Sequence, residues 1–441
     1  MLYLTDRRGF LRTTALTGVG VFVSGTAAAE ESNSPNERIR FACIGVGGKG
    51  TSDSADAKRH GDIVAICDID DNTLAKAGDK SFPGAARYND FRKMLDEMGK
   101  SIDAVTVSIP DHMHATATAT AMRMGKACYT QKPLTRTISE ARKLGEIARE
   151  MNVATQMGNQ GTSFPPLRKT SAAVRAGVIG NVKEVHVWTN RPTWAQGNPR
   201  PSEGTIPPNV HWDLWLGPAP LRPYAPGYHP HAWRGWWDFG SGALGDMACH
   251  TVNMPYMALD LRDPTGVQAE TAGHNRDSYP KWSIIKYDFP ANALRPALTM
   301  TWYDGGKKPA GELFDSEQIS KTGVLLIGEK GKLLAPGDYC ERGYKLFAGG
   351  TDIKVEYEQS PGHFTELAKA IKGGPPARSN FPNYSGPLTE TILLGNLAVW
   401  AAAEPGTPGK KIEWDAKNLK ATNAPEVAEV ITPTYREGYK L

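Results

Sequence analysis

The sequence predicts an α/β protein whose N-terminal half is a doubly wound parallel sheet. Three observations lead to this fold class: short apolar runs alternate with helical stretches from Arg38 onward, a glycine-rich turn follows the first run, and the second run ends in an acidic residue. Parallel strands need long crossover connections, usually helices, so this alternation is typical of a parallel sheet.

Five short apolar runs are predicted to be the strands of this sheet, and helical stretches fill the gaps between them. The strands are predicted at residues 39–44, 63–66, 104–107, 127–129 and 153–156, and helices at 72–80, 114–124 and 139–150. We therefore predict a first domain over residues 38–158.

The composition changes after about residue 160, which predicts a second domain over residues 159–430 and a C-terminal tail over 431–441. A strand-like run at 182–189 precedes a stretch, 191–240, that is rich in Pro and Trp and has almost no periodicity. A loop of this length is usually functional. Beyond Leu244 we predict a helix, then β-like runs at 283–289, 297–302, 323–327 and 353–357, and late helices at 363–372 and 389–403.

The overall composition excludes several classes of protein. Of 441 residues, 40% are hydrophobic and 22% are charged, which is ordinary globular usage and argues against disorder or several membrane spans. The formal net charge is only +4, so a nucleic-acid partner is not expected. Five cysteines, several within apolar runs, indicate buried thiols and no disulfide framework.

Residues 1–29 have the plan of an export signal. A basic start containing Arg7 and Arg8 is followed by an apolar stretch and by the small-residue ending AAA at 27–29. The segment around Arg7 and Arg8 resembles a twin-arginine signal, a route that carries folded proteins. We therefore expect a periplasmic or secreted protein with no membrane span after the signal is removed.

The glycine-rich turn has the pattern of a dinucleotide-binding loop. The residues GVGGKG at 45–50 fit G-x-G-x-x-G between a predicted strand and a predicted helix, which is the context that gives this motif its weight. Asp68, at the end of the second strand, is placed to accept hydrogen bonds from ribose hydroxyls. An acid at this position repels a 2′-phosphate, so NAD is expected and NADP is less favoured.

Four motifs in order resemble the Gfo/Idh/MocA family of oxidoreductases, which includes glucose-fructose oxidoreductase and inositol dehydrogenase. They are GVGGKG at 45–50, PDHMH at 110–114, QKP at 131–133 and LGDMACH at 244–250. The resemblance covers nearly all of the chain after the signal. It implies an N-terminal Rossmann domain, a C-terminal α/β domain with a mostly antiparallel open sheet, and an active site between them. A homo-oligomer, dimer or tetramer, is also expected.

The resemblance assigns roles to three candidate catalytic residues. Asp246 and His250 are four residues apart, so on a helix both leave the same face. His250 would be the base for a sugar hydroxyl and Asp246 its orienting partner, while Lys132 would donate to the reacting oxygen. Taken alone, an Asp/His pair at this spacing is more often a solvated helix pair. The cofactor-binding residues implied are Gly45, Gly47, Gly48, Lys49, Gly50, Asp68, Pro110, His114 and Lys132.

The sequence also departs from the family pattern at three positions. Gln131 stands where the family usually has Glu, Ala248 where it has Gly, and Asn253 where it has Asp. The first departure puts the role of a carboxylate near the nicotinamide in doubt, and the other two weaken claims about substrate contacts from the catalytic helix.

The Trp/Pro-rich insertion at 191–240 leads directly into the catalytic helix, so we expect it to cover the site. Aromatic faces stack on sugar rings and Arg or His binds hydroxyls, which suggests a saccharide wall; packing of a satellite core is an equally weighted alternative. The candidate substrate residues are Asn159, Gln160, Arg191, Trp194, His231, Trp233 and Arg234. A metal site at His229, His231 and Asp246 is disfavoured, because a His-Pro-His loop lacks fixed ligand spacing.

These features predict an exported oxidoreductase that acts on a secondary hydroxyl of a sugar or glycoside with tightly bound NAD. A redox-neutral NAD-dependent glycosidase is the main alternative, in which oxidation, elimination, water addition and reduction occur in sequence. A carbohydrate-binding protein without turnover is a third possibility, and Lys132, Asp246 and His250 argue against it.

Overall fold

The N-terminal half contains a six-stranded parallel sheet with the strand order β3-β2-β1-β4-β5-β6. The structure is a computed structural model that describes residues 38–441, so the predicted export signal lies outside the described residues. The strands are β1 (Ile39–Ile44), β2 (Gly61–Cys67), β3 (Ala86–Tyr88), β4 (Ala104–Val107), β5 (Ala127–Thr130) and β6 (Thr155–Met157).

Helices connect these strands as predicted. They are α1 (Lys49–His60), α2 (Asp71–Lys80), α3 (Phe91–Met98), α4 (Asp111–Arg123) and α5 (Ile138–Met151). At the start of α5, the Glu140 side chain reaches back and its Oε2 accepts from the Thr137 N–H at 2.9 Å. On α2, the Asp70 side chain accepts from the Thr73 N–H at 3.0 Å.

The strand register brings four chain segments to one edge of this sheet. Ile44 at the end of β1 pairs with both Cys67 and Val107, and Val107 pairs with Thr130. The loops that follow β1, β2, β4 and β5 therefore begin side by side. Ligands of open α/β sheets bind at this carboxyl edge.

The second sheet has nine strands in the order β13-β12-β11-β7-β10-β9-β8-β14-β15. All described pairings are antiparallel except that between β7 and β10, which confirms the predicted fold class. Its strands are β7 (Val182–Trp188), β8 (Gly266–Thr271), β9 (Ser283–Phe289), β10 (Leu298–Tyr303), β11 (Gly323–Gly328), β12 (Lys332–Pro336), β13 (Lys345–Phe347), β14 (Ile412–Asp415) and β15 (Lys420–Ala421).

The helices of this second part are α6 (Pro165–Arg175), α7 (Trp212–Leu216), α8 (Gly242–Thr251), α9 (Asn253–Leu259), α10 (His363–Ile371), α11 (Gly386–Ala401) and α12 (Ala428–Ile431). None of the helices within residues 38–441 is long and apolar enough to span a membrane.

Helix α8 carries two of the candidate catalytic residues, and it is buried along its whole length. The mostly apolar α11 packs against α8, β8 and α5. Asn396 on α11 donates to the backbone oxygen of Ser241 at 3.1 Å, immediately before α8 begins. The position of α8 is therefore set by a buried helix that contacts both halves of the fold.

One predicted strand is wrong. Residues 353–357 alternate apolar and polar side chains but adopt no regular structure, and Ile353 is exposed. The edge position is taken instead by β13, which pairs with β12. Alternation alone does not make a strand where no neighbouring strand is available for hydrogen bonding.

All five cysteines are free and buried, as the sequence indicated.

Candidate functional site

A cavity of about 610 Å³ lies at the carboxyl edge of the parallel sheet and extends to helix α8. One part of its wall comes from the loops after the parallel strands, and another from α8 and the Trp/Pro-rich insertion. Of the predicted residues, the wall includes Gly45, Gly47, Gly48, Lys49, Asp68, Pro110, Lys132, Gln160, Arg191, His231, Trp233, Arg234, Asp246 and His250.

The glycine loop leaves no space for larger side chains at two positions. A Cβ on Gly45, which has a φ of +80°, would lie 2.3 Å from the Ser108 carbonyl oxygen; one on Gly50 would lie 2.1 Å from the Gly45 oxygen. A Cβ on Gly48, by contrast, would meet nothing within 4 Å, so the chain is open just before the first residue of α1. This arrangement fits a pyrophosphate held by backbone N–H groups at the helix N-terminus.

Asp68 lies at the end of β2 with its carboxylate held by the main chain. Its Oδ2 accepts from the Val46 N–H at 3.0 Å, and its Oδ1 accepts from the Asp70 N–H at 3.1 Å. Burial raises the pKa of Asp68, and these backbone hydrogen bonds oppose the rise. Each carboxylate oxygen keeps a second lone pair for a ribose hydroxyl, so the residues present fit a dinucleotide.

Lys132 and Asp246 form the central contact of the site. Lys132 Nζ donates to both the backbone oxygen and Oδ1 of Asp246, each at 2.8 Å, and Arg234 Nε donates to the same Oδ1 at 3.2 Å. Burial alone would raise the pKa of Asp246, but the two cations outweigh it and lower the pKa to about 2. The carboxylate is therefore ionised at neutral pH.

His250 lies one turn further along α8, and its surroundings differ from the expected ones. No hydrogen bond joins it to Asp246 among the described residues, and its buried Nδ1 has no partner there. The expectation that Asp246 orients His250 is therefore corrected, because Asp246 accepts from Lys132 and Arg234 instead. Burial, followed by the Lys132 ammonium, lowers the pKa of His250 well below its usual value, so the ring is neutral.

Four other predicted residues do not line the cavity. Both ring nitrogens of buried His114 lie within 2.8 Å of carbonyl oxygens, those of Pro133 and Ile109, so His114 supports the loops that carry Lys132 and Pro110. Its predicted contact with the cofactor is corrected accordingly. Gly50 is packed beneath Gly45, as described above.

Asn159 and Trp194 were predicted to contact the substrate, but neither side chain lines the cavity. Asn159 is fully buried, with no hydrogen-bond partner for its amide within residues 38–441, and it is not part of the cavity wall. The indole N–H of Trp194 donates to Gln196 Oε1 at 3.1 Å. Neither side chain is positioned as a wall of the cavity, whereas Gln160 is.

Most aromatic residues of the insertion form a core of their own. Trp212 and Trp215 stack at 4.6 Å and pack with Tyr228, Trp236 and Phe239 in one buried cluster. The satellite-core alternative therefore holds for these rings, of which Trp215 also reaches the cavity. Trp233 belongs to the same cluster but also reaches the cavity, where the Arg234 guanidinium lies 4.2 Å from its ring.

Sequence reasoning missed several residues of the wall. Tyr339, in the loop after β12, lies against the His250 ring with 4.5 Å between centroids. Trp215 and Tyr439 reach the cavity from the insertion and the C-terminal tail. No local motif marks these positions, because only the tertiary fold brings them near the loops of the first sheet.

His229 and His231, considered for a metal site, line the cavity without forming one. Within residues 38–441 no group of three or more His, Cys, Asp or Glu side chains is placed to hold a metal ion.

Comparison with known proteins identifies the family. The oxidoreductase-family NAD-binding Rossmann domain matches residues 39–159, and the C-terminal α/β domain of the same Gfo/Idh/MocA family matches residues 166–294. Together these matches cover more than half of the chain. The chain belongs to the Gfo/Idh/MocA oxidoreductase family.

Two curated relatives have different activities. A D-xylose 1-dehydrogenase [NADP(+)] of Haloarcula marismortui is 22% identical over 75% of this chain and 82% of its own length. A glycosyl hydrolase family 109 protein of Solibacter usitatus is 30% identical, but the match spans only 32% of this chain and 35% of that protein.

Solved structures share the fold at low identity. The WlbA dehydrogenase of Bordetella pertussis, in complex with NADH and UDP-GlcNAcA, is 17% identical with a TM-score of 0.58, covering 86% of this chain and all of that one. An inositol dehydrogenase homolog of Azotobacter vinelandii, complexed with NADH and myo-inositol, is 16% identical with a TM-score of 0.56, covering 86% and 98%.

Replacement of Asp68 by Ser should weaken NAD binding and reduce discrimination against NADP. The change removes a charged acceptor for ribose hydroxyls, a loss of about 10- to 100-fold in affinity. Titrations of cofactor-free protein with NAD and NADP, followed by tryptophan fluorescence, measure both effects. An unchanged ratio of the two affinities would contradict the role of Asp68.

Asp111, on the cavity wall, should make the free energy of unfolding depend on pH. Burial raises the pKa of Asp111 to about 7, although Ser241 donates to it at 2.5 Å. The unfolded chain ionises at a lower pH, so this contribution is full below about pH 4 and is lost as the pH rises toward about 7. Asp111→Asn should remove this pH dependence, which is measured by thermal unfolding at a series of pH values. Parallel curves of melting temperature against pH for the two proteins would refute the prediction.

Proposed function

We propose that this protein is an exported enzyme that oxidises a secondary hydroxyl of a sugar or glycoside and passes the hydride to a tightly bound NAD. One observation carries the proposal: a single cavity contains both the dinucleotide-binding features at Gly45–Asp68 and the Lys132, Asp246 and His250 cluster. The relatives that act on sugars support the substrate class.

Bound NAD supplies the hydride acceptor. The ammonium of Lys132 has three N–H groups, of which two are used by Asp246, so one remains to donate to the reacting sugar oxygen. Neutral His250 accepts the hydroxyl proton as the carbonyl forms. Asp246 keeps the Lys132 ammonium at the position where this oxygen gains negative charge.

The insertion supports tight retention of the cofactor. Its residues 209–211 pair with the loop after β2: the Asp71 N–H donates to Asn209 O at 2.9 Å, and the His211 N–H donates to Ile69 O at 3.0 Å. The His211 ring also lies 3.0 Å from the Asp71 carboxylate. We call this pairing the clasp.

The clasp joins the insertion to the loop that begins with Asp68, the proposed ribose ligand. We expect the clasp to hold this loop in place and so to slow the release of a bound dinucleotide. Slow release suits the proposed location, because a periplasmic or secreted enzyme is not expected to meet free NAD. The twin-arginine-like signal at 1–29 supports export with NAD already bound.

A redox-neutral NAD-dependent glycosidase is the second candidate. The relative from Solibacter usitatus favours it, and a retained cofactor must be restored in place. The cofactor would be restored either by a second carbohydrate or by a cleavage reaction that returns the hydride. Assays of glycosides for both NADH absorbance and aglycone release separate the two candidates, and a protein silent in both would be a binding protein. Assembly as a dimer or tetramer stays a prediction.

Lys132→Met and His250→Ala should each lower kcat strongly while NAD remains bound. Both groups act on the reacting oxygen rather than on the pyrophosphate, and acid–base groups contribute about 10²- to 10⁴-fold. Turnover of the best sugar from the panel, with NAD content measured on the same samples, checks this. Near-full activity in either variant would show that its assigned role is wrong.

The purified protein should contain NAD or NADH without any cofactor added, and the clasp should slow its release. His211→Pro removes the N–H that donates to Ile69 at a backbone φ of −82°, which proline tolerates. The change also removes the His211 ring that contacts the Asp71 carboxylate, so two contacts are lost and release should be faster by about tenfold. Denatured samples analysed by chromatography give NAD content, and dilution into competitor gives the release rate.

Thr205→Ala, an exposed change in the same insertion, serves as the control and should leave the release rate unchanged. Empty wild-type protein that binds NAD weakly would contradict tight retention. Equal release rates for His211→Pro and wild type would remove the clasp from the explanation.

A further inference from the structure

A fully buried carboxylate lies beneath the site without lining the cavity. Asp53, on α1, has no exposed surface. It forms an ion pair with Lys49, accepts from Ser108 Oγ at 2.7 Å, and accepts from Gln131 Nε2 at 2.8 Å. Burial of a charge is costly unless it is paired and hydrogen bonded, and three donors here meet that requirement.

Gln131 connects this carboxylate to Lys132. The Gln131 side chain is 95% buried, lines the cavity, and its Oε1 lies 3.3 Å from the Lys132 N–H that donates to it. An ionised carboxylate only accepts hydrogen bonds, so Asp53 forces the NH₂ of Gln131 toward itself and the amide oxygen toward Lys132. Asp53 thus determines which end of the amide meets the main chain of Lys132.

The same contact explains the departure from the family pattern at position 131. A Glu there would bring a second carboxylate to within hydrogen-bond distance of Asp53 in a buried site, where two like charges cannot both remain ionised. The negative charge expected at 131 lies on the neighbouring side chain instead. Gln131 and Asp53 form one unit.

We infer that Asp53 is a positioning residue for the proposed reaction, which acts by fixing the Gln131 amide and, through it, the segment that carries Lys132. This inference rests on the proposed oxidoreductase function. Asp53 does not itself line the cavity, and it contacts no reacting atom. Its effect on turnover should therefore be seen in kcat rather than in KM for the sugar.

The first variant is Asp53→Asn, which keeps the shape but removes the charge. The new amide can present its NH₂ to Gln131 and allow the Gln131 amide to flip, so that its NH₂ meets the Lys132 N–H. We expect kcat to fall by about 10- to 100-fold, the cost of a small misplacement of a reacting group. KM for the sugar should change little. NAD content is measured on the same samples, because Lys49 loses its ion-pair partner in this variant.

The second variant is Gln131→Glu, which creates the like-charge pair. One carboxyl of the pair must stay protonated in the folded protein, so its pKa is raised. The free energy of unfolding of this variant should therefore be highest at acidic pH and fall as the pH rises. Thermal unfolding across this range shows the effect without any substrate. Activity should also decline as the pH rises.

The double variant, Asp53→Asn with Gln131→Glu, is the decisive one. The carboxylate introduced at position 131 accepts both from the amide introduced at position 53 and from the Lys132 N–H, and it has no amide to flip. We expect kcat and the pH dependence of unfolding to return toward wild type, although each single change is harmful. Ser54→Ala, also buried on α1 and next to Asp53, is the matched control and should leave kcat unchanged.

Gly158→Ala gives an independent variant in case the charge changes prevent folding. A Cβ at 158 would lie 2.4 Å from Gln131 Nε2, so it displaces the amide without altering any charge. The same fall in kcat with NAD retained is expected. Full activity in Asp53→Asn or in Gly158→Ala would overturn the inference. It would also be overturned if the double variant lost as much kcat as the two single variants' fold-losses multiplied together.

Different results would contradict the proposed function and the proposed role of Asp53. A wild-type protein inactive on every sugar tested would overturn the proposed function. If the pH-dependent instability of Gln131→Glu were also absent or persisted in the double variant, the pairing of Asp53 with Gln131 would itself be wrong.

Discussion

The ion pair between Lys132 and Asp246 is the constraint on which the rest of the site depends. It joins the loop after β5 of the parallel sheet to helix α8, and the two side chains are only 17% and 12% exposed. A buried ion pair contributes little net stability, since desolvation offsets the attraction, but removal of one partner leaves a costly unpaired charge. Its effect is therefore on geometry: it fixes the distance between the two halves of the cavity.

The supports of this ion pair come from opposite directions. On the Lys132 side, His114 contacts the Pro133 carbonyl and Gln131 contacts the Lys132 N–H. On the Asp246 side, α11 holds the segment before α8. Each support is buried, so the ammonium is held by a rigid shell rather than by its own flexible side chain. Such rigidity suits the role proposed for Lys132, the stabilisation of a developing charge.

The sequence predicted those features that depend on neighbours along the chain. The strand-turn-helix at 39–60 and the acid at Asp68 were found because their residue types and spacing carry the chemistry. Other features depend on chain segments that only the tertiary fold brings together, so residue spacing in the sequence does not predict them. They include Tyr339, the clasp and the contact between Asp53 and Gln131. The wrong strand at 353–357 has the same cause, because a strand exists only where a partner strand is available.

The insertion shows how composition can mislead about recognition. Its tryptophans suggested a stacking wall, yet most of these rings are buried against one another. Two of these rings, Trp215 and Trp233, also reach the cavity. The Arg234 guanidinium lies 4.2 Å from the Trp233 ring centroid, and Arg234 also donates to Asp246. The aromatic core therefore acts as the rigid base from which Arg234 extends. The insertion presents hydrogen-bond donors to the cavity, and its aromatic content fixes where those donors lie.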